Sequence, residues 1–222
     1  MRSVFSPALF LLSSLFILAQ CSAADRKLSY EEMVEKVKAG DESIDFRELR
    51  LAYMDSESRR KAKDTDVQKR AMNQALRDLD YAEVLKNAEQ VLQQNFVDLE
   101  AHHAEFLAYR ELHQAAAAHR QNLIVGGLLD SIMKSGDGDS PETAMQVISI
   151  DEEYFVLGIV GLRTVTQTLL QKNCHSYDVM DTVDSLSKKK VTIYFNIDVP
   201  YSHYLPRLKR RPLCGNEKPA SQ

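Results

Sequence analysis

Glu152 and Glu153 stand side by side ahead of Tyr154, at the end of the run SGDGDSPETAMQVISIDEEY (residues 135–154), and Asp178 follows them downstream. Two carboxyl groups held at a fixed separation can act as general acid and base, or as acid and nucleophile, on a glycosidic or similar bond. The β-branched residues Val147, Ile148 and Ile150 predict a strand that carries Asp151, Glu152, Glu153 and Tyr154 to its end or its solvent face. Adjacent strand residues face opposite sides, so a working pair would combine Glu152 or Glu153 with Asp178, or with Asp181, from a neighbouring strand. That is a hydrolase or sugar-acting reading. The competing reading is structural: such acids cap an element, face water or accept a bond from a tyrosine such as Tyr194.

The same run offers a second chemistry. Asp137 and Asp139 bring hard oxygens close together, which suits calcium. The EF-hand spacing fails, because the loop-closing position falls on Ile148. A turn is therefore the preferred reading, with calcium as the alternative and no cofactor predicted. Asp137, Asp139, Tyr154, Gln167, Tyr194 and Asn196 are the candidate ligand-binding groups, able to hold a basic or hydroxyl-bearing molecule or to stitch strands together. Ser131 and Lys134 spell SxxK without the SDN or KTG that should follow it, and His102, His103, His113 and His119 lack metal-site spacing.

The elements that position these groups divide at the same run. Residues 1–24 read as a cleaved export signal: Arg2, an apolar stretch from Leu9 to Ala19, then small residues from Cys21 to Ala24. The stretch is shorter than the roughly 20 apolar residues of a membrane span. No transmembrane span is expected in the mature chain, which is placed in a bacterial periplasm or outside the cell. Lipidation at Cys21 is the minority alternative, since Gln20 stands where a small residue is wanted. Without Arg2 the net charge of −4 becomes −5, which argues against nucleic acid as a partner. An envelope or extracellular protein, or a small polar ligand, fits better. Cys174 and Cys214 either pair or stay as separate thiols.

Residues 25–134 read as helices. Ser29 with Glu32 makes a capping box, Leu28 with Met33 a hydrophobic staple, and Gly40 a stop. Asp45 opens a second helix whose apolar face includes Phe46, Leu49, Ala52 and Tyr53, and the charged run from Glu57 to Asp66 reads as wet surface. From Asp66 to Lys134 apolar residues recur at helical spacing, broken near Asn95–Asp98. Tyr81, Val84, Ala88, Val91 and Leu92 resemble the second helix of a tetratricopeptide repeat, with Ala101–Ala118 as the next hairpin, although Phe96 stands where that repeat has proline.

Residues 135–200 read as a sheet of the same compact unit. Gly158 and Gly161 mark bends, Arg163–Leu170 alternates as a strand against a competing helix, and VTIYFNID (Val191–Asp198) is the strongest strand. Short connections favour an antiparallel meander. After Pro200 the pattern is lost, so residues 201–222 are expected as a basic flexible tail. The predicted fold class is α+β, with antiparallel helical hairpins packed on an antiparallel β-meander.

The ordered set SGDG, TA, VIS and EEY, then Gln167 with Leu169, then Tyr177–Asp178, then Tyr194–Ile197, resembles the bacterial secreted family called domain of unknown function 4919. Phe46, Leu49, Arg50 and Tyr53 resemble its early segment. The resemblance implies an exported protein and carries no catalytic role.

Overall fold

The computed structural model describes residues 27–204. Helix α1 (Tyr30–Lys38) begins with the expected box: Ser29 Oγ accepts from the Glu32 amide at 3.2 Å, and the Glu32 carboxylate accepts from the Ser29 amide at 2.9 Å. It ends at Gly40, whose φ of 84° closes the turn. Helix α2 (Phe46–Asp55) is capped by Asp45 and buries Leu49, Arg50, Tyr53 and Met54. The charged run that follows forms one short helix, α3 (Glu57–Lys61).

Two helical hairpins come next: α4 (Asp66–Arg77) with α5 (Tyr81–Gln94), and α6 (Leu99–Glu111) with α7 (Ala115–Met133). Ala75, Ala88, Ala101, Ala104 and Ala108 are buried around Met72, Val84 and Val91. Small side chains at these crossings let the backbones approach closely, which is the packing of tetratricopeptide-like hairpins. Each hairpin turns without glycine. Leu79 and His113 take positive φ (59° and 57°), and the next amide, of Asp80 or Gln114, reaches back to the carbonyl of Ala75 or Tyr109.

After α7 the chain crosses Ser135–Ala144 into a four-stranded sheet. Strands β1 (Met145–Gln146), β2 (Leu162–Lys172), β3 (His175–Asp184) and β4 (Lys190–Asn196) lie in the order β1-β4-β3-β2. β2, β3 and β4 form the antiparallel meander, and Arg163–Leu170 is strand rather than helix. The main core lies between this sheet and the helices, with Leu49, Leu128, Ile132, Val147, Leu157, Met180 and Phe195 at its centre. Among the described residues no helix is long and apolar enough to cross a membrane.

Three expectations need correction. β1 is only two residues long and pairs parallel with β4, Met145 opposite Phe195, so the sheet is mixed. Residues from Ile150 to Ile159 form a helix, α8, in place of a strand. Ser149 Oγ caps it by accepting from the Glu152 amide at 3.3 Å, and Asp151, Glu152 and Glu153 occupy its first turn, where negative charge favours a helix start. Finally, Asp198–Tyr204 forms helix α9, and Pro200 sits in its first turn, where a missing amide hydrogen costs nothing. The tail reading for residues 205–222 and the export reading for residues 1–24 fall outside the described residues. Cys174 is disulfide-bonded, and Cys214, expected either to pair with it or to stay a separate thiol, falls outside them.

The crossing is held by backbone. Gly138 takes φ 76°; its amide donates to the Thr143 carbonyl, and its own carbonyl accepts from the Tyr194 amide, both at 2.9 Å. A Cβ on Gly136 would stand 2.2 Å from the Thr143 carbonyl oxygen and 2.7 Å from that of Ala144. Neither atom belongs to a movable side chain. Gly136→Ala should therefore destabilise the chain by about 1–3 kcal/mol, the usual cost of overpacking. Urea denaturation with an unchanged slope and a lowered midpoint is the expected result.

Candidate functional site

Glu152 is bound to Arg50, and both are buried. The guanidinium of Arg50 donates through Nε to Oε1 at 2.8 Å and through Nη2 to Oε2 at 2.5 Å. Two more of its hydrogens go to the Gln146 carbonyl (3.2 Å) and to Ser131 Oγ (3.0 Å), and Glu152 Oε2 also accepts from the Ile148 amide at 2.8 Å. One side chain thus ties α2 to α7, β1 and α8. Lys134 pairs with Asp130 at 2.6 Å, while Ser131 donates to the Leu128 carbonyl, so the SxxK string makes no nucleophile-and-base pair.

Glu153 is wholly buried, and neither of its carboxyl oxygens receives an N–H or O–H bond. Its polar neighbour across the interface is Asp178 on β3. Burial, and then the negative charge of Asp178, push the Glu153 carboxyl up to about 9. At neutral pH Glu153 is therefore a protonated acid, able to donate its own hydrogen to Asp178. The other oxygen of the arrangement is secured as well: Asp178 Oδ2 accepts from Gln167 Nε2 at 2.7 Å, and Gln167 Oε1 accepts from the Tyr154 hydroxyl at 3.0 Å. The chain Tyr154–Gln167–Asp178–Glu153 runs from a tyrosine 47% exposed into the core.

Four of the sequence candidates, Glu153, Asp178, Gln167 and Tyr154, are thus brought together. The others are not. Asp137 and Asp139 are exposed in the turn, where bonds from Thr143 and from the Asp139 amide hold Asp137 below the usual carboxylate range. Tyr194 sits beside that turn through its amide, and Asn196 closes on Asp198. Among the histidines, His102 is buried with its ring nitrogens against Gln121 Oε1 (2.7 Å) and the Phe96 carbonyl (2.6 Å), and burial lowers its pKa.

A polar cleft of about 280 Å³ opens where the N-terminal ends of α4, α6 and α8 meet. Its walls include Asp64, Asp66, Lys69, Asp98, Glu100 and Asp151, with Arg59 of α3 and Lys63 of the α3–α4 connection. Lys69 bridges two of these helix starts, 2.7 Å from the buried Asp98 and also bonded to Asp151, which is 62% exposed. Burial works against the Lys69 charge, but the two aspartates outweigh it and hold its pKa above the ordinary value. The start of α8 contributes Ser149, Asp151 and Glu152 to this wall. The helical half contributes Lys69, Asp98 and Glu100, none of them among the candidates named from the sequence. Acids just ahead of and within the first turns of α4 and α6 were the available signal.

Opposite outcomes are expected for the two glutamates. Glu152→Gln leaves the Arg50 charge buried without its counter-ion and should cost about 3–5 kcal/mol. Glu153→Gln supplies an amide that can donate to Asp178 and should leave stability at neutral pH close to normal. In the parent chain the folded-state value for Glu153 lies above its unfolded value of about 4.5, so the folded form keeps a proton that the unfolded form releases. Stability should fall as pH rises from about 4.5 to about 9. Glu105, raised to about 7 chiefly by burial, adds to the fall only in the lower part of that window. The decline between pH 7 and 9, followed by thermal denaturation, should disappear in Glu153→Gln; its persistence would show that Glu153 is already ionised in the folded chain.

No curated protein and no solved structure matches the chain. A family model described as a domain of unknown function, DUF4919, matches residues 19–205, from ahead of α1 to beyond α9 and including both the carboxyl pair and the cleft. With most of its length inside that match, the chain belongs to the DUF4919 family.

Proposed function

We propose that the chain is an exported, non-enzymatic binding module of the bacterial cell envelope, and that the cleft around Lys69 takes a small polar ligand bearing basic or hydroxyl groups. The observation that carries this reading is the cleft itself. It is concave and walled by charges of both signs, and Asp64, Asp66 and Asp151 stand exposed at its edge. Such groups recognise an ammonium or hydroxyl at a small cost in desolvation, because water already reaches them. Arg59 and Lys63 would meet an anionic end of the same molecule.

The hydrolase alternative, using Glu152 or Glu153 with Asp178, draws less support. Glu152 is consumed by Arg50, and Glu153 is sealed from water. A protein of the envelope or extracellular space is the other class of partner, for which the helical hairpins supply a platform.

A thermal-shift series with amino acids, amino sugars, short peptides and polyols tests the reading. A ligand at about 100 times its dissociation constant adds about 2.7 kcal/mol of stability. Asp64→Asn and Glu100→Gln should abolish that gain with little effect on the free protein, since the amides can still accept the bonds that Asp66 and Asn73 donate. Failure of every compound class to raise the melting temperature would remove the small-ligand reading.

Export is supported by the composition of residues 1–24. The mature protein should begin at Ala24 or Asp25, as read by intact mass. A retained, diacylated Cys21 would make it a lipoprotein instead.

A further inference from the structure

Strand β2 is the longest in the sheet, with 11 residues, and among the described residues it pairs only with β3. Its other edge presents a row of backbone donors and acceptors. Exposed edges in single-chain proteins are usually protected by a charge, a proline or a short length. β2 has one bulge, between Thr164 and Thr166, and beyond it none of these protections before Lys172. Five consecutive residues, Val165–Leu169, are exposed, with Val165 57% and Leu169 50% accessible.

We propose that two copies of this chain join through the free edges of β2, antiparallel about a two-fold axis at Leu169, to make one continuous sheet across the pair. The sequence of the strand is compatible with its own copy and favours a register that keeps its cations apart. From Thr166 to Lys172 the strand runs in unbroken register with β3, so its geometry is regular enough to template another strand. Folding that stretch on itself about Leu169 sets Leu169 against its own copy, Thr168 against Leu170, Gln167 against Gln171 and Thr166 against Lys172. Apolar meets apolar at the axis, and Gln167 and Gln171, each bonded within its own chain, lie beside each other without a charge between them. A two-fold axis between Gln167 and Thr168 would instead set Arg163 against Lys172, and like charges directly opposite are destabilising. In the favoured register the one cation faces a threonine and is already paired with Glu142 at 2.6 Å. Leu169 lies opposite Asp178 on the face that carries Gln167 and the Tyr154 bond, so the pairing would also cover the edge of the buried carboxyl network.

Sedimentation equilibrium of the purified chain should show a monomer–dimer equilibrium, and hydrogen exchange of the β2 amides in Thr166–Gln171 should slow as concentration rises. Leu169→Lys and Leu169→Asp each set like charges across the axis, and each should be monomeric. Because Leu169 is half exposed, both variants should keep the parent's circular dichroism, with Leu169→Asp, set opposite Asp178, the less heat-stable of the two. Mixed in equal amounts they should recover a dimer, which a merely misfolded variant would not do. A parent chain that stays monomeric at every concentration, a dimer that survives Leu169→Lys, or dimerisation without slowed exchange in β2 would each overturn the proposal. So would a monomer whose β2 edge is protected at every concentration, since that edge would be covered from within the chain.

Discussion

The ion pair between Arg50 and Glu152 is the constraint around which the two halves of the molecule are arranged. Taking both charges out of water carries a desolvation penalty of several kcal/mol per ion, recovered only if the geometry is good and the remaining hydrogens find acceptors. Here the guanidinium meets both carboxylate oxygens, a serine hydroxyl and a backbone carbonyl, and the carboxylate meets a further amide. A shift of α2, α7, β1 or α8 by one residue would leave a buried charge partly unmatched. Apolar packing tolerates such shifts far better than this network does. The pair therefore fixes the register of helices against sheet more than it adds to stability.

Its neighbour Glu153 shows how strongly surroundings govern identical side chains. One glutamate carboxylate accepts two bonds from a cation and one from the Ile148 amide; the next faces another carboxylate in a buried interface. The first can remain charged because its counter-charge is buried with it. The second meets no counter-charge, so the inexpensive way to bury it is with its proton attached. Glu152 and Glu153, the alternative partners expected for Asp178, thus stand in different company: one is in an ion pair with Arg50, the other lies against Asp178 with its proton attached.

Much of the framework was legible from residue types. Capping residues at Ser29 and Asp45, the glycine stop at Gly40, the break near Asn95 and the alternation in β2 and β4 all act locally, and the structure follows them. The error lay in Met145–Tyr154. Val147, Ile148 and Ile150 suit a strand, and that preference obscured Ser149 with Glu152, the same S-x-x-E spacing that correctly opened α1. Once α8 replaces the strand, Glu152 and Glu153 no longer point to opposite faces, and both turn inward. The partners of these groups were not legible, because Arg50 lies 102 residues from Glu152 and Lys69 lies 82 from Asp151. Periodicity marks which face is buried, but not which distant element covers it.

The parallel pairing of β1 with β4 has a consequence for the order in which the chain can be completed. α4–α7 form hairpins from contacts close in sequence, and such local structure closes quickly. β1 must wait for Phe195 and Asn196, which come some 50 residues later, before its backbone groups find their ladder. Until then Arg50 lacks the fixed Gln146 carbonyl, and α1 and α2 lack the sheet side of their core. A chain arriving from its N-terminus would therefore hold a finished pair of hairpins flanked by two unfinished segments. Final consolidation would come in one late step, when β4 slots between β1 and β3.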